Sequence, residues 1–214
     1  YTDHLRDSFV WCSQLLVFLK HMIEYEALFT DINKEALRKL LQEKGAVLMR
    51  QEFLQKRVTL QLPEGHEKYG AFLRVRDEGD KITLSYKYVG GTTIDEQQEE
   101  TVLVNDFDKT VSLLHTISCN STSYEETTRE LWTLDGAEVT IDGWPHLGTL
   151  VDVEGKSEAE VRAVSEKLNF DWSTARFCTA GTLYEEKYGL GPIDLWRKTG
   201  NPTQLTFNGK NPFI

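Results

Sequence analysis

Cysteine is scarce in this 214-residue chain, and what there is has no pattern: Cys12, Cys119 and Cys178 are odd in number and far apart. They lack the C-x-x-C or Cys/His spacing of a zinc site, so a disulfide framework and a structural zinc are both excluded. Isolated thiols of this kind fit a core in a reducing compartment, and the expected location is cytoplasmic. The five histidines, His4, His21, His66, His115 and His146, are dispersed and read as packing or surface residues rather than ligands. No G-x-x-x-x-G-K-[ST] loop and no G-x-S-x-G elbow occurs, which excludes P-loop nucleotide hydrolysis and the usual serine hydrolase arrangement. Gly189-Leu190-Gly191 has no strand before it and reads as a helix stop. Long apolar runs are missing too. Phe9–Leu19 is shorter than the ~20 residues that span a bilayer, and although it resembles a signal-peptide core it has one basic residue before it, Arg6, and no small-residue cleavage pattern after it. Residues 1–21 are therefore expected to be an N-terminal extension that packs as a helix, with Met22 the natural start of the domain.

Positive charge is the other shortage. Lys and Arg number 24 against 34 Asp and Glu, a net charge of −10, so no broad attraction to nucleic acid or to an anionic membrane is expected. An anionic partner would have to be received in an enclosed site. The composition, 40% hydrophobic and 11% aromatic, is ample for the core of one domain or a two-lobed unit.

What is present is a succession of strand patterns. His21–Asp31 places Glu24 and Glu26 on one face of a pleat, with Ile23, Tyr25 and Ala27 on the other. Asn33 then caps a helix carrying Leu37, Leu40 and Leu41, which Gly45 ends. Strands are expected at Arg50–Leu62, Ala71–Asp77, Lys81–Val89 and Thr101–Val104, separated by turn signals such as Glu78-Gly79-Asp80. Asp106 caps a second helix through Ile117 with Val111 and Leu114 inward. Arg129–Leu134 and Glu138–Asp142 form a hairpin across Asp135-Gly136, and Leu150–Glu154 is the last strand. Ser157 and Glu160 make a capping box for a helix with Val161, Val164 and Leu168 on one side, and a final helix is expected within Ser173–Tyr188. Residues 191–214, rich in Pro, Gly and Asn, read as a tail with little regular structure.

Several of these strands alternate strictly. Arg74 and Arg76 flank Val75; Thr83, Ser85 and Lys87 interleave with Leu84 and Tyr86; Glu138, Thr140 and Asp142 interleave with Val139 and Ile141; Asp152 and Glu154 flank Val153. A single strand of this kind is an ordinary half-exposed sheet face. Taken together, acids fall in pairs on the first, penultimate and last strands while bases concentrate on the middle ones. If the sheet curls shut with helices outside, the charged face lines a polar interior. Carboxylates without histidine or thiolate neighbours suit Mg²⁺ or Mn²⁺, and arginine and lysine suit phosphate oxygens. Trp132 and Trp144 read as core or rim packing, with base stacking the lesser alternative.

The E-x-E of Glu24 and Glu26, the FLRVR strand Phe72–Arg76, the LSYK strand ending at Lys87, the RELW strand Arg129–Trp132 and the run Val139–Gly155 together resemble the CYTH domain. This superfamily of triphosphate tunnel metalloenzymes includes class IV adenylyl cyclases, thiamine triphosphatases and inorganic triphosphatases. The resemblance spans residues 22–190. It implies an α+β fold, an eight-stranded antiparallel β-barrel with helices packed outside, and a triphosphate held at its centre. By position, Glu24, Glu26, Asp152 and Glu154 would face the metal, with Glu24 and Glu26 catalytic. Arg57, Arg74, Arg76, Lys87 and Arg129 would hold phosphates, and Glu138 and Asp142 would support the metal side. Two departures matter. The family's opening motif is E-x-E-x-K, whereas this chain has Leu28, and Thr127 stands where a basic residue often precedes the arginine by two.

The resemblance thus implies an enzyme dependent on Mg²⁺ or Mn²⁺ that acts on a triphosphate-containing small molecule. It would hydrolyse a nucleoside, thiamine or inorganic triphosphate, or cyclise ATP to cAMP. The alternative is a binding module that kept the tunnel and lost turnover, which Leu28 and Thr127 favour. No nucleic acid or membrane partner is expected, and the oligomeric state stays open, a homodimer among the options.

Overall fold

A computed structural model describes residues 23–214. The N-terminal extension, Met22, Cys12, His4 and His21 lie outside the described residues. In chain order the elements are β1 (Tyr25–Phe29), α1 (Lys34–Glu43), β2 (Val47–Leu60), β3 (Ala71–Asp77), β4 (Ile82–Val89), β5 (Gln97–Val104) and α2 (Phe107–Thr116). Then come β6 (Ser121–Leu134), β7 (Ala137–Trp144), β8 (Gly148–Gly155), α3 (Glu158–Lys167), α4 (Ala180–Tyr188), α5 (Pro192–Thr199) and β9 (Thr203–Leu205).

Eight strands form one antiparallel ladder in the order β1-β8-β7-β6-β2-β3-β4-β5, and β9 runs parallel to β6. The ladder curls until its two edges meet at one point. Ile23 bridges Gln98, the Glu24 N–H donates to Gln97 O at 3.0 Å, and Gln97 Nε2 donates to Glu26 O at 2.7 Å. Further along, β1 pairs instead with Arg176, whose N–H and carbonyl each bond Leu28 at 2.9 Å. The architecture is therefore the expected α+β barrel with helices outside.

Period-two alternation decides which face goes where. Ala27, Phe29, Val139, Ile141, Val151 and Val153 turn outward and pack under Leu37 and Leu41 of α1, Val161 and Val164 of α3 and Leu168 at its C-cap. Val58, Leu60 and Val75 do the same beneath Leu114 of α2. Burying this apolar face against helices leaves the charged face inside, because the two faces alternate residue by residue.

The local signals hold. Asn33 accepts from Ala36 N at 3.0 Å, Asp106 from Lys109 N at 2.9 Å and Ser157 from Glu160 N at 3.3 Å. Asp135 and Gly136 both take positive φ, 51° and 94°, giving the mirror-image turn that matches strand twist in a tight hairpin.

Element lengths differ from the sequence expectation in instructive ways. β6 begins at Ser121 rather than Arg129, β5 at Gln97 rather than Thr101, and β2 at Val47 rather than Arg50. The single helix expected in Ser173–Tyr188 is a short 3-10 turn at Trp172–Thr174 followed by α4. Residues 191–214 are not an irregular tail. Gly191 and Pro192 open α5, Gly200 ends it at φ 71°, and β9 then covers Ser123–Glu125 of β6, where β7 no longer reaches. The Pro and Gly content marks helix boundaries here. Near the same end of the barrel, Leu183 of α4 packs on Leu28 and Leu150 with Trp144 and Leu147 alongside. Tyr184 Oη donates to Pro145 O at 2.5 Å, and Phe213 stacks on Tyr184 and Tyr188 with centroids 4.9 and 5.0 Å apart.

Candidate functional site

The ladder order brings the acids together. β8 returns beside β1, so Glu26 stands opposite Glu154, and Glu154 opposite Glu138 on β7, in one transverse row. Three carboxylates in neighbouring register positions repel one another. In the next row Asp152 lies between Leu28 and Thr140, and beyond it Asp142 faces Arg129 of β6. The basic side continues around the ring, with Arg57 of β2 opposite Arg76 of β3 and Arg74 opposite Ser85 of β4. Ten of the eleven residues expected at the site lie on the inward pleat of the strands that carry them, and Glu24 immediately precedes β1.

Some of these charges neutralise one another. Arg129 grips Asp142 through two hydrogen bonds, 2.9 Å from Nε and 2.6 Å from Nη2, and Asp142 holds its guanidinium above the ordinary value although burial opposes this. Arg74 donates to Glu99 at 2.7 Å. Lys87, one inward row from Arg74, is surrounded by carboxylates. Its Nζ lies 2.6 Å from Glu26, 2.9 Å from Glu24 and 3.5 Å from Glu99. Burial alone would lower the Lys87 pKa, but these carboxylates hold it above its ordinary value.

Other groups are left short of a counter-charge. Burial, then the proximity of Arg74, pulls Arg57 down to about 10, and burial with Arg74, Arg129 and Arg57 pulls Arg76 down to about 9. The buried Nε atoms of Arg57 and Arg74 have no hydrogen-bond partner. Arg57 has Glu125 only at 3.9 Å from its Nε and donates to Gln55 and Thr127, at 2.8 and 2.6 Å, with its guanidinium 4.7 Å over Trp144. On the acidic side, burial and then Glu26 push Glu24 up to about 9 and Glu154 up to about 7. Asp152 is raised well above the usual carboxylate range by burial, Glu26 and Asp142, and its Oδ1 has no partner. One interior thus holds a crowded set of acids beside a crowded set of arginines.

Oxygen-only donors of this kind fit a hard divalent cation. Among the described residues, however, no group of three Asp, Glu, His or Cys side chains stands ready to chelate an ion. The Lys87 ammonium sits between Glu24, Glu26 and Glu99.

Four residues at the site escaped the sequence reading. Glu99 and Glu125 lie in strand segments whose Gln/Glu and Ser/Glu composition looked like loop. Gln55 carries no charge to attract notice, and Glu78, read only as a turn residue, pairs with Arg76 Nε at 2.8 Å. Thr127 is fully buried and accepts from Arg57. Leu28 is buried in the apolar layer at the α4 end rather than left facing an open tunnel. Trp132 is core, its Nε1 donating to Glu130 at 2.7 Å. Two surface hollows, of about 570 and 250 Å³, lie outside the barrel and meet at Ser121 and Pro202. Among the described residues no helix is long and apolar enough to cross a membrane.

No family model matches the chain, and neither does any curated protein. Solved structures do. A protein of Pyrococcus horikoshii OT3 is 19% identical, with a TM-score of 0.63 over 73% of this chain and 96% of that one. A candidate adenylate cyclase of Vibrio parahaemolyticus is 12% identical, with a TM-score of 0.63 over 72% and 93%. A Hippeastrum protein, described as a candidate adenylyl cyclase with a dominant triphosphatase activity, is 14% identical, with a TM-score of 0.52 over 78% and 96%. At such identities what is shared is the fold, an antiparallel barrel with helices outside.

Proposed function

We propose that this chain is a divalent-metal-dependent CYTH-type enzyme that takes a triphosphate-containing small molecule into its barrel and hydrolyses it or, if the substrate is ATP, cyclises it. The observation that carries this reading is one interior in which a row of carboxylates, Glu26, Glu154 and Glu138, and Asp152 with its unpartnered Oδ1 stand across from Arg57, Arg74 and Arg76. Folding such groups together without a ligand costs stability. A polyphosphate with its cation supplies both missing charges at once. The descriptions of the Vibrio and Hippeastrum proteins point the same way.

Arg57, Arg74, Arg76 and Arg129 would hold phosphate oxygens through forked, charge-assisted hydrogen bonds. Glu24, Glu26, Asp152 and Glu154 would hold Mg²⁺ or Mn²⁺, with Glu138 and Asp142 behind them. The ion, when bound, neutralises charge developing on the phosphoryl oxygens. The chain's part is then orientation: the arginine rows fix the phosphate chain against the acid rows. Water as attacking group gives hydrolysis, the favoured outcome; a ribose hydroxyl gives cyclisation. Leu28 and Thr127 support a second reading, a triphosphate-binding module without turnover, since two cations of the family pattern are replaced by uncharged side chains. Incubation with ATP, thiamine triphosphate and tripolyphosphate, each with Mg²⁺ or Mn²⁺, separates the readings. Release of phosphate or cAMP supports the enzyme, whereas tight binding with neither product rejects it.

A further inference from the structure

We propose that Lys87 is an internal cation occupying the acidic pocket, so that it competes with a divalent ion for Glu24 and Glu26 and yields only when a phosphate ligand offers its ammonium another partner. The inference rests on the triphosphate reading for the identity of that ligand, and on geometry for the rest. Three carboxylates surround the ammonium: Glu26 accepts its hydrogen bond at 2.6 Å, and Glu24 and Glu99 lie at ion-pair distances of 2.9 and 3.5 Å. A divalent ion chelated by Glu24 and Glu26 would lie within ion-pair distance of Nζ, where like charges repel strongly in a low-dielectric interior. The lysine has somewhere to go. On β4 it stands opposite Phe72, one inward row from the Arg74–Ser85 pair, so a phosphate oxygen held by Arg74 is within reach of the same side chain. Binding of anion and cation would then be linked through one residue, each strengthening the other by the same factor.

The test titrates the parent and the variants Lys87→Met and Lys87→Arg with Mn²⁺ in the absence of phosphate, following free Mn²⁺ by electron paramagnetic resonance. Lys87→Met is expected to bind Mn²⁺ at least ten-fold more tightly than the parent, and Lys87→Arg, which keeps the charge, to behave like the parent. Equal or weaker Mn²⁺ binding by Lys87→Met overturns the proposal. Should that variant fail to fold, Lys87→Gln takes its place, and the ammonium ¹⁵N resonance of Lys87 in the parent gives a second reading. It should move when Mg²⁺ and tripolyphosphate are added together; saturation of the acids by Mg²⁺ alone, with that resonance unmoved, contradicts the competition. If the parent binds no tripolyphosphate under any condition while Lys87→Met still tightens Mn²⁺ binding, the substrate reading fails and the competition stands.

Discussion

Replacing Arg76 by methionine should raise the stability of the ligand-free protein while weakening its hold on a triphosphate. Methionine keeps most of the aliphatic stem and removes the charge. The guanidinium is buried, 12% exposed, among three other arginines, and its pKa falls to about 9. At about 1.4 kcal/mol for each tenfold in proton affinity, that displacement corresponds to about 5 kcal/mol disfavouring the charged form. Loss of the 2.8 Å contact to Glu78 offsets part of this. Glu78 keeps Lys81 at 3.4 Å and Arg50 at 4.0 Å, so the net gain should be about 1 to 3 kcal/mol. The same substitution deletes a charge-assisted contact to phosphate worth about 1.5 to 3 kcal/mol, a loss of ten-fold or more in affinity. Urea denaturation without metal reads the first effect, and calorimetric titration with tripolyphosphate and Mn²⁺ reads the second. Opposite signs are the signature of an arginine placed for a ligand rather than for the fold. A variant that loses stability and binds tripolyphosphate as tightly as the parent would refute the reasoning.

Three further outcomes follow from the same interior. Glu24→Gln should raise the thermal midpoint of the ligand-free protein, because glutamine takes up no proton on folding whereas burial and Glu26 push the Glu24 carboxyl up to about 9, and should abolish most Mn²⁺-dependent turnover; a lower midpoint with full activity contradicts its role. Leu28→Lys would place an ammonium beside Asp152, whose Oδ1 lacks a partner. It should raise turnover at a packing cost of about 1 to 3 kcal/mol, and an unchanged rate measured on folded variant would show that the motif lysine is not what limits this chain. Because Glu24, Asp152 and Glu154 bind protons more tightly folded than unfolded, their contribution makes metal-free stability fall as pH rises from about 5 toward 9. Melting scans should show a higher midpoint at pH 5 than at pH 8, and divalent metal should narrow that difference; a midpoint that climbs with pH would contradict the burial of these acids.

How much of this was legible depended on whether charge and hydrophobicity alternated within one strand. Val75 between Arg74 and Arg76, or Ile141 between Thr140 and Asp142, announces its pleat without help from the rest of the chain. Glu99 and Glu125 do not, since they sit in Gln-, Glu- and Ser-rich segments with poor strand propensity that become strand only because β4 and β2 offer them partners. The position of Lys87 was hidden for a different reason. Its contact with Glu26 joins residues 61 apart and exists only because the two edges of the ladder close on each other. The docking of Phe213 on α4 is likewise a long-range event that local pattern does not encode. The acid cluster itself was inferable in kind, from pairs on the first and the last strands, but its assembly required β8 to return beside β1.

The most direct test is anomalous scattering from a crystal grown with Mn²⁺ and a non-hydrolysable triphosphate. Manganese is expected inside the barrel against Glu24, Glu26 and Glu154, with the phosphates running toward Arg57, Arg74 and Arg76. Manganese and triphosphate bound only outside it, for example in the surface hollow beside Trp196 and Arg197, would contradict this.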